Sequence, residues 1–204
     1  MLYLCLEDSL TRIQSRLFQI TDDTPEALHF ATIAAGIGEG LEEQLTNFLT
    51  QHPDTSLVVI DTLQRICTGS DSGNPYANDY RDISVLKTLA DKHHIAILLI
   101  HHLRKMNDND PMNMISGTTG ISGATDSNFV LKEHRRGSGE ATLYCTGRDI
   151  EYRELPLVFD KSGYTWRLTE LVEGERISID PEAISLSAFL RGLGSFEGTA
   201  TELS

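Results

Sequence analysis

Leu57-Val58-Val59-Ile60-Asp61-Thr62 and Ile95-Ala96-Ile97-Leu98-Leu99-Ile100-His101-His102 are the two stretches whose reading decides the fold. Each is an unbroken apolar run rich in β-branched residues, the pattern of a strand covered on both faces in a parallel sheet. Each stops abruptly at side chains that ionise or hydrogen-bond. In an open α/β sheet the ligand lies beyond the carboxyl ends of the strands, so Asp61, His101 and His102 are expected to border one crevice.

Working outward, Leu2 to Leu6 reads as another strand, with Glu7-Asp8-Ser9 at its carboxyl end. Asp8 or Ser9 can cap a helix that carries Leu10, Ile13, Leu17 and Ile20 on one face. A short strand is expected within 27–33. A glycine loop (Gly36, Gly38, Gly40) leads to a second amphipathic helix over 39–51, with Leu41, Leu45, Phe48 and Leu49 inward. A polar loop over 68–78 precedes a helix that ends near His93 and faces inward through Ile83, Leu86, Leu89 and Ala90. The segment from Arg104 to Ser122 reads as a long loop, a length that often signals function. Strands are expected at 128–132, 141–146, 155–160 and 164–168, and the turn Asp160-Lys161-Ser162-Gly163 makes the last of them antiparallel. The predicted class is α/β: a mostly parallel sheet flanked by helices, with an antiparallel hairpin at its C-terminal edge. Residues 1–170 form the expected core. A linker over 174–180 and a small helical segment opened by Pro181 make up 171–204.

The chain has 204 residues, 40% of them hydrophobic, enough for one α/β core with an appendage. Its 17 Lys and Arg face 30 Asp and Glu, a formal net charge of −13. That balance excludes a protein that coats nucleic acid through a general basic surface. It leaves room for a motor in which a few basic loops line a channel. The three cysteines, Cys5, Cys67 and Cys145, form no C-x-x-C pair, so neither a zinc site nor a disulfide framework is implied. No run approaches the roughly 18 apolar residues of a membrane span, and no signal peptide is visible, which places the expected protein in the cytoplasm.

Each polar strand end has an ordinary reading beside the functional one. Asp61 could cap the following turn, and Glu7 could be a solvated helix-start residue. Alternation along a strand sends His101 and His102 to opposite sides, so one of them could be a core or surface residue. His93 and His94 lie at the other end of the same strand, roughly 20 Å away by strand rise, too far to share a metal with His101 and His102. Four hydrophobics ending in Asp are also the Walker B pattern, in which a carboxylate holds Mg²⁺ on a nucleotide.

Five ordered motifs carry a resemblance. Leu2-Tyr3-Leu4-Cys5-Leu6-Glu7-Asp8-Ser9 comes first, then Leu57-Val58-Val59-Ile60-Asp61-Thr62-Leu63 and Ile97-Leu98-Leu99-Ile100-His101-His102-Leu103-Arg104-Lys105. Ile115-Ser116-Gly117-Thr118-Thr119-Gly120-Ile121-Ser122-Gly123-Ala124-Thr125-Asp126 and Thr146-Gly147-Arg148-Asp149-Ile150-Glu151 complete the set. Over about residues 1 to 168 the chain resembles the RecA-type ATPases of the AAA_25 group, which includes the RepA-like hexameric replicative helicases. The tail resembles the linker and start of a winged-helix-like segment. The resemblance implies a RecA-like fold, ATP with Mg²⁺, a homo-oligomeric ring (a hexamer) and single-stranded DNA as partner.

Residue by residue, it implies that Glu7 polarises the attacking water and that Asp61 is the Walker B acid. His102, or His101, would sense the γ-phosphate. Ser116, Gly117, Thr118 and Thr119 would lie on a channel loop touching DNA, helped by Arg104 and Lys105. Arg148 would be the arginine finger that enters a neighbouring subunit; its ordinary reading is a surface salt bridge with Asp149 or Glu151.

The resemblance is incomplete at one place. The 204 residues contain no G-x-x-x-x-G-K-[ST] loop, and none of the five lysines follows a glycine. That loop cradles the β- and γ-phosphates and normally sits one strand and one helix before the strand at Leu2. A chain truncated at both ends, or a split or decayed gene, is the economical expectation, ahead of a degenerate non-hydrolysing paralogue because Glu7, Asp61 and Arg148 are all present. A strand edge and a sheet face left uncovered would follow from it. The expected function is part of an ATP-driven DNA helicase or replication ATPase, inactive alone. The alternatives are a non-catalytic ring-assembly module, or a recombination or signalling ATPase without helicase activity.

Overall fold

The computed structural model describes residues 1–67, 74–104, 108, 110–115 and 119–169. The linker and helical segment expected over 171–204 lie outside the described residues. Four strands, β1 (Leu2–Cys5), β2 (His29–Ala31), β3 (Leu57–Asp61) and β4 (Ala96–Ile100), form a parallel sheet in the order β2-β1-β3-β4. Helices α1 (Leu10–Ile20), α2 (Leu41–Gln51) and α3 (Pro75–His93) make the crossovers.

Local chemistry sets the helix starts. The Ser9 side chain accepts from the Arg12 N–H at α1, and Asn74 does the same for Ala77 ahead of Pro75 at the first position of α3. Gly40 precedes α2 at φ +116, a conformation an L side chain rarely adopts. The expected start of α2 thus moves from residue 39 to Leu41, and α3 begins inside the segment read as a loop.

Strand alternation divides the sheet into two faces. Leu2 and Leu4 share one face with Val58 and Ile60 and pack with Leu41, Leu45 and Leu49 of α2 and Ile83, Leu86 and Leu89 of α3. This is the main core, and the inward residues expected on α2 and α3 are largely those observed. Phe30, Tyr3, Val59 and Leu98 make one row across the opposite face. Here cover is incomplete. Of the four apolar residues on the α1 face only Ile13 is buried, while Leu10 and Ile20 are exposed, as is Leu98 at 45%.

The remaining strands, β5 (Ser127–Glu133), β6 (Glu140–Gly147), β7 (Arg153–Asp160) and β8 (Thr165–Leu168), form an antiparallel meander. Among the described residues it is a sheet of its own rather than a hairpin on the parallel edge, because there β4 pairs only with β3 and β5 only with β6. The segment read as one long loop carries structure: a 3₁₀ turn at Pro111–Met114 and the short helix α4 (Thr119–Ala124). An antiparallel bridge from Leu103 to Ile115 ties it to the end of β4. No helix among the described residues is long and apolar enough to cross a membrane.

β4 is an edge of five apolar residues with no lysine, proline or bulge to block pairing. The Ala96 N–H donates to Ser56 on the β3 side, so alternation turns the backbone groups of Ile97 and Leu99 outward. Self-association through this edge is expected to rise with concentration in sedimentation velocity. Leu98→Lys is expected to suppress it without shifting the thermal midpoint, since a charge on an edge strand opposes pairing.

Asp82 of α3 is 5% exposed, with Arg81 Nε at 3.8 Å from its carboxylate. Burial is the largest influence and raises its pKa; Arg81 opposes it. A folded acid with a raised pKa holds its proton longer than the unfolded chain does, so stability falls as pH rises from the ordinary carboxylate range through the raised value. Asp82→Asn is expected to flatten that part of the denaturation profile and to gain on the wild type at neutral pH in urea titrations from pH 4 to 8.

Candidate active site

Register brings the polar strand ends to one level. Cys5 lies beside Asp61, and Asp61 beside Ile100. The Leu6 N–H continues the ladder by donating to the Asp61 carbonyl at 2.7 Å. Glu7, Thr62 and the pair His101–His102 therefore leave the sheet at the same edge. The chain leaves β3 through a cis peptide between Asp61 and Thr62, then enters a 3₁₀ turn at Leu63–Arg65.

Glu7 is the hub of the group. The Thr62 hydroxyl donates to its Oε1 at 3.1 Å, and Arg65 Nε lies 3.6 Å from the same oxygen. His102 Nε2 lies 3.6 Å from Oε2. The structure thus unites Glu7 with His102 and adds two residues the motifs did not single out, Thr62 and Arg65. Thr62 is 1% exposed, whereas the Glu7, Arg65 and His102 side chains are open to solvent. The sequence signal for Thr62 is its place directly after the strand-ending Asp61. Arg65 sits one turn further on and has no periodic signature.

Asp61 is held separately. The Tyr3 hydroxyl donates to its Oδ2 at 2.9 Å. Burial, and then this hydrogen bond, pushes the Tyr3 phenol well above its ordinary value, so it remains a donor. On the same face the Cys5 thiol is pushed up to about 12, chiefly by burial, and is no nucleophile.

Carboxylate and hydroxyl oxygens are the donors that Mg²⁺ takes, and Mg²⁺ commonly binds through one or two carboxylates with water and phosphate filling the rest. Asp61, with Glu7 and Thr62 alongside, fits that description. Among the described residues no three His, Cys, Asp or Glu side chains gather into an all-protein metal cage.

The other expected site residues lie apart. His101 is half-buried and Arg104 is exposed, its N–H donating to the Met114 carbonyl at 2.7 Å. Thr119 opens α4; Lys105, Ser116, Gly117 and Thr118 lie outside the described residues. Arg148 follows β6, where its N–H donates to the Asp126 carbonyl at 2.9 Å and its guanidinium lies 3.5 Å from the Asp126 carboxylate. Its ion-pair partner is thus Asp126 rather than Asp149 or Glu151. Lys87 shares that carboxylate and is the main cause of its lowered pKa. Among the described residues no contact joins Arg148 to the Glu7 group.

Several solved structures have a similar fold. The chain is similar to the ATPase domain of G40P, with TM-score 0.67 and 13% identity over 83% of this chain and 74% of that one. It is similar to a DnaB-like replicative helicase, described with its interactions with primase, at TM-score 0.65 and 14% identity over 83% of this chain and 50% of that one. The RadB recombinase gives TM-score 0.53 and 17% identity over 79% of this chain and 76% of that one. At such identities the likeness is one of fold, and the fold is RecA-like. No curated protein matches the chain. The AAA_25 family, described as an AAA domain, matches residues 1–108, a span that holds Glu7, Asp61, His101 and His102. The chain belongs to the AAA_25 family of AAA domains.

Proposed function

We propose that this domain is the nucleotide-handling core of an ATP-driven DNA helicase or related replication ATPase of the RepA type, working in the cytoplasm as a homo-oligomeric ring, a hexamer, on single-stranded DNA. The observation that carries the reading is the link between the two acids. Glu7 is held by Thr62, the residue directly after Asp61, so a base and a metal-binding carboxylate share one sheet edge.

In this reading Glu7 takes a proton from the attacking water, with Thr62 and Arg65 fixing its Oε1. His102, mostly solvent-exposed, exchanges its Glu7 contact for the γ-phosphate. Asp61, with an oxygen not used by Tyr3, would hold Mg²⁺, which when bound with ATP neutralises charge on the phosphates. Arg148, its guanidinium half-exposed beside Asp126, serves the neighbouring subunit's site. Arg104, Lys105 and the residues Ser116, Gly117, Thr118 and Thr119 contact single-stranded DNA in this reading.

Positioning and electrostatics supply almost all catalysis in phosphoryl transfer. Without a G-x-x-x-x-G-K-[ST] loop in its 204 residues, the chain by itself is expected to release no phosphate from Mg²⁺-ATP, with or without single-stranded DNA. Robust turnover that disappears in Asp61→Ala would show that the phosphates are held elsewhere.

When a phosphate-binding loop is fused ahead of Met1, Arg148→Ala is expected to lower turnover about 10³–10⁵-fold while nucleotide binding persists. Mixing it with Glu7→Ala subunits is expected to restore part of the rate, since each variant keeps what the other lost. Unchanged turnover in the single variant would reduce Arg148 to its Asp126 ion pair.

The DNA path is tested by Arg104→Ala with Lys105→Ala. Weaker single-strand binding and a flatter salt dependence are expected in fluorescence anisotropy. Binding that is identical at every salt concentration would move the path elsewhere on the surface.

A further inference from the structure

We propose that Tyr3 is a positioning residue for Asp61, fixing the carboxylate so that one oxygen stays turned outward for a divalent cation; this rests on the reading of Asp61 as the metal-binding acid. The placement follows from strand register. Tyr3 lies beside Val59 and Cys5 beside Asp61, so Tyr3 and Asp61 are diagonal neighbours on one face of two paired strands. Diagonal neighbours are too far apart for short side chains but within reach of an aromatic one.

The ring is itself supported. Tyr3 is flanked in register by Phe30 of β2, whose ring meets it edge-on at 6.0 Å between centroids. From that position its hydroxyl donates to Oδ2 at 2.9 Å. Among the described residues no hydrogen bond or ion pair engages Oδ1. A bond from a supported donor restricts the carboxylate's rotation and occupies Oδ2, leaving Oδ1 for a cation. Glu7 is held by other donors, Thr62 and Arg65, so the two acids are aimed independently and Tyr3 acts on only one of them.

The same hydrogen bond also crosslinks β1 to β3, and a purely structural role would show as lost stability alone. The test uses the full 204-residue chain with Mn²⁺ alone as probe, read by paramagnetic broadening of the amide resonances around Asp61, which registers even brief occupancy. Tyr3→Phe keeps the ring and the Phe30 contact, and a thermal melt checks that it is folded.

Outer-shell partners of metal ligands typically contribute 10–100-fold in affinity. Tyr3→Phe is therefore expected to need about 10-fold more Mn²⁺ for the same broadening, and Asp61→Asn to abolish it. A Tyr3→Phe response equal to wild type, with Asp61→Asn still abolishing it, overturns the role of Tyr3 and leaves Asp61 as the metal-binding acid. Broadening that persists in Asp61→Asn removes the metal reading of Asp61 and the proposal with it.

Discussion

The 2.7 Å hydrogen bond from the Leu6 N–H to the Asp61 carbonyl is the contact on which the site depends. It extends the β1–β3 ladder one step past the last paired residues and ends both strands at one level. With β4 in register on the other side of β3, the residues that follow each strand must emerge together. A slip of one residue in β3 would send Asp61 into the α2–α3 core and bring Ile60 out of it. The buried row of Leu4 and Ile60 makes such a slip costly, since fully burying one aliphatic side chain is worth about 1.5–3 kcal/mol.

The same reasoning ranks the contacts around Glu7. Its contacts with Arg65 and His102, each at 3.6 Å, are solvent-exposed, and an exposed contact of this kind is worth about 0–1 kcal/mol. The Thr62 hydroxyl is buried and donates to a charged acceptor, a class worth about 1.5–3 kcal/mol. Thr62 therefore decides where the carboxylate sits, and the Arg65 and His102 contacts add little to it. A weak His102 contact suits a residue that must exchange partners, because little is lost when it leaves.

The two faces of the parallel sheet differ in how completely they are covered. The α2–α3 face of the parallel sheet is sealed by leucine and isoleucine. The face bearing Tyr3, Val59 and Leu98 thins toward β4, where Leu98 is exposed and, among the described residues, the outward backbone groups of Ile97 and Leu99 have no strand beside them. The polar strand ends are thus assembled on a sheet whose β4 side is open. The sequence lacks a phosphate-cradling loop, and this edge with the face behind it is a surface on which another strand and helix can be laid.

The sequence by itself determined the parallel class, the apolar strands with their polar ends, and the faces of α2 and α3, because periodicity of apolar residues is a local property written in spacing. It also marked Glu7, Asp61 and the pair His101–His102, since each stands at the end of an apolar run. It could not show that β5–β8 form a separate sheet, because which edges pair is settled by what lies between them and not by either strand. Nor could it find Tyr3, Thr62 or Arg65 as partners of the two acids, or choose Asp126 over Asp149 and Glu151 for Arg148. Those pairings join residues far apart in the chain, or in adjacent turns whose direction only the folded backbone fixes, and they exist only once register has brought the strands together.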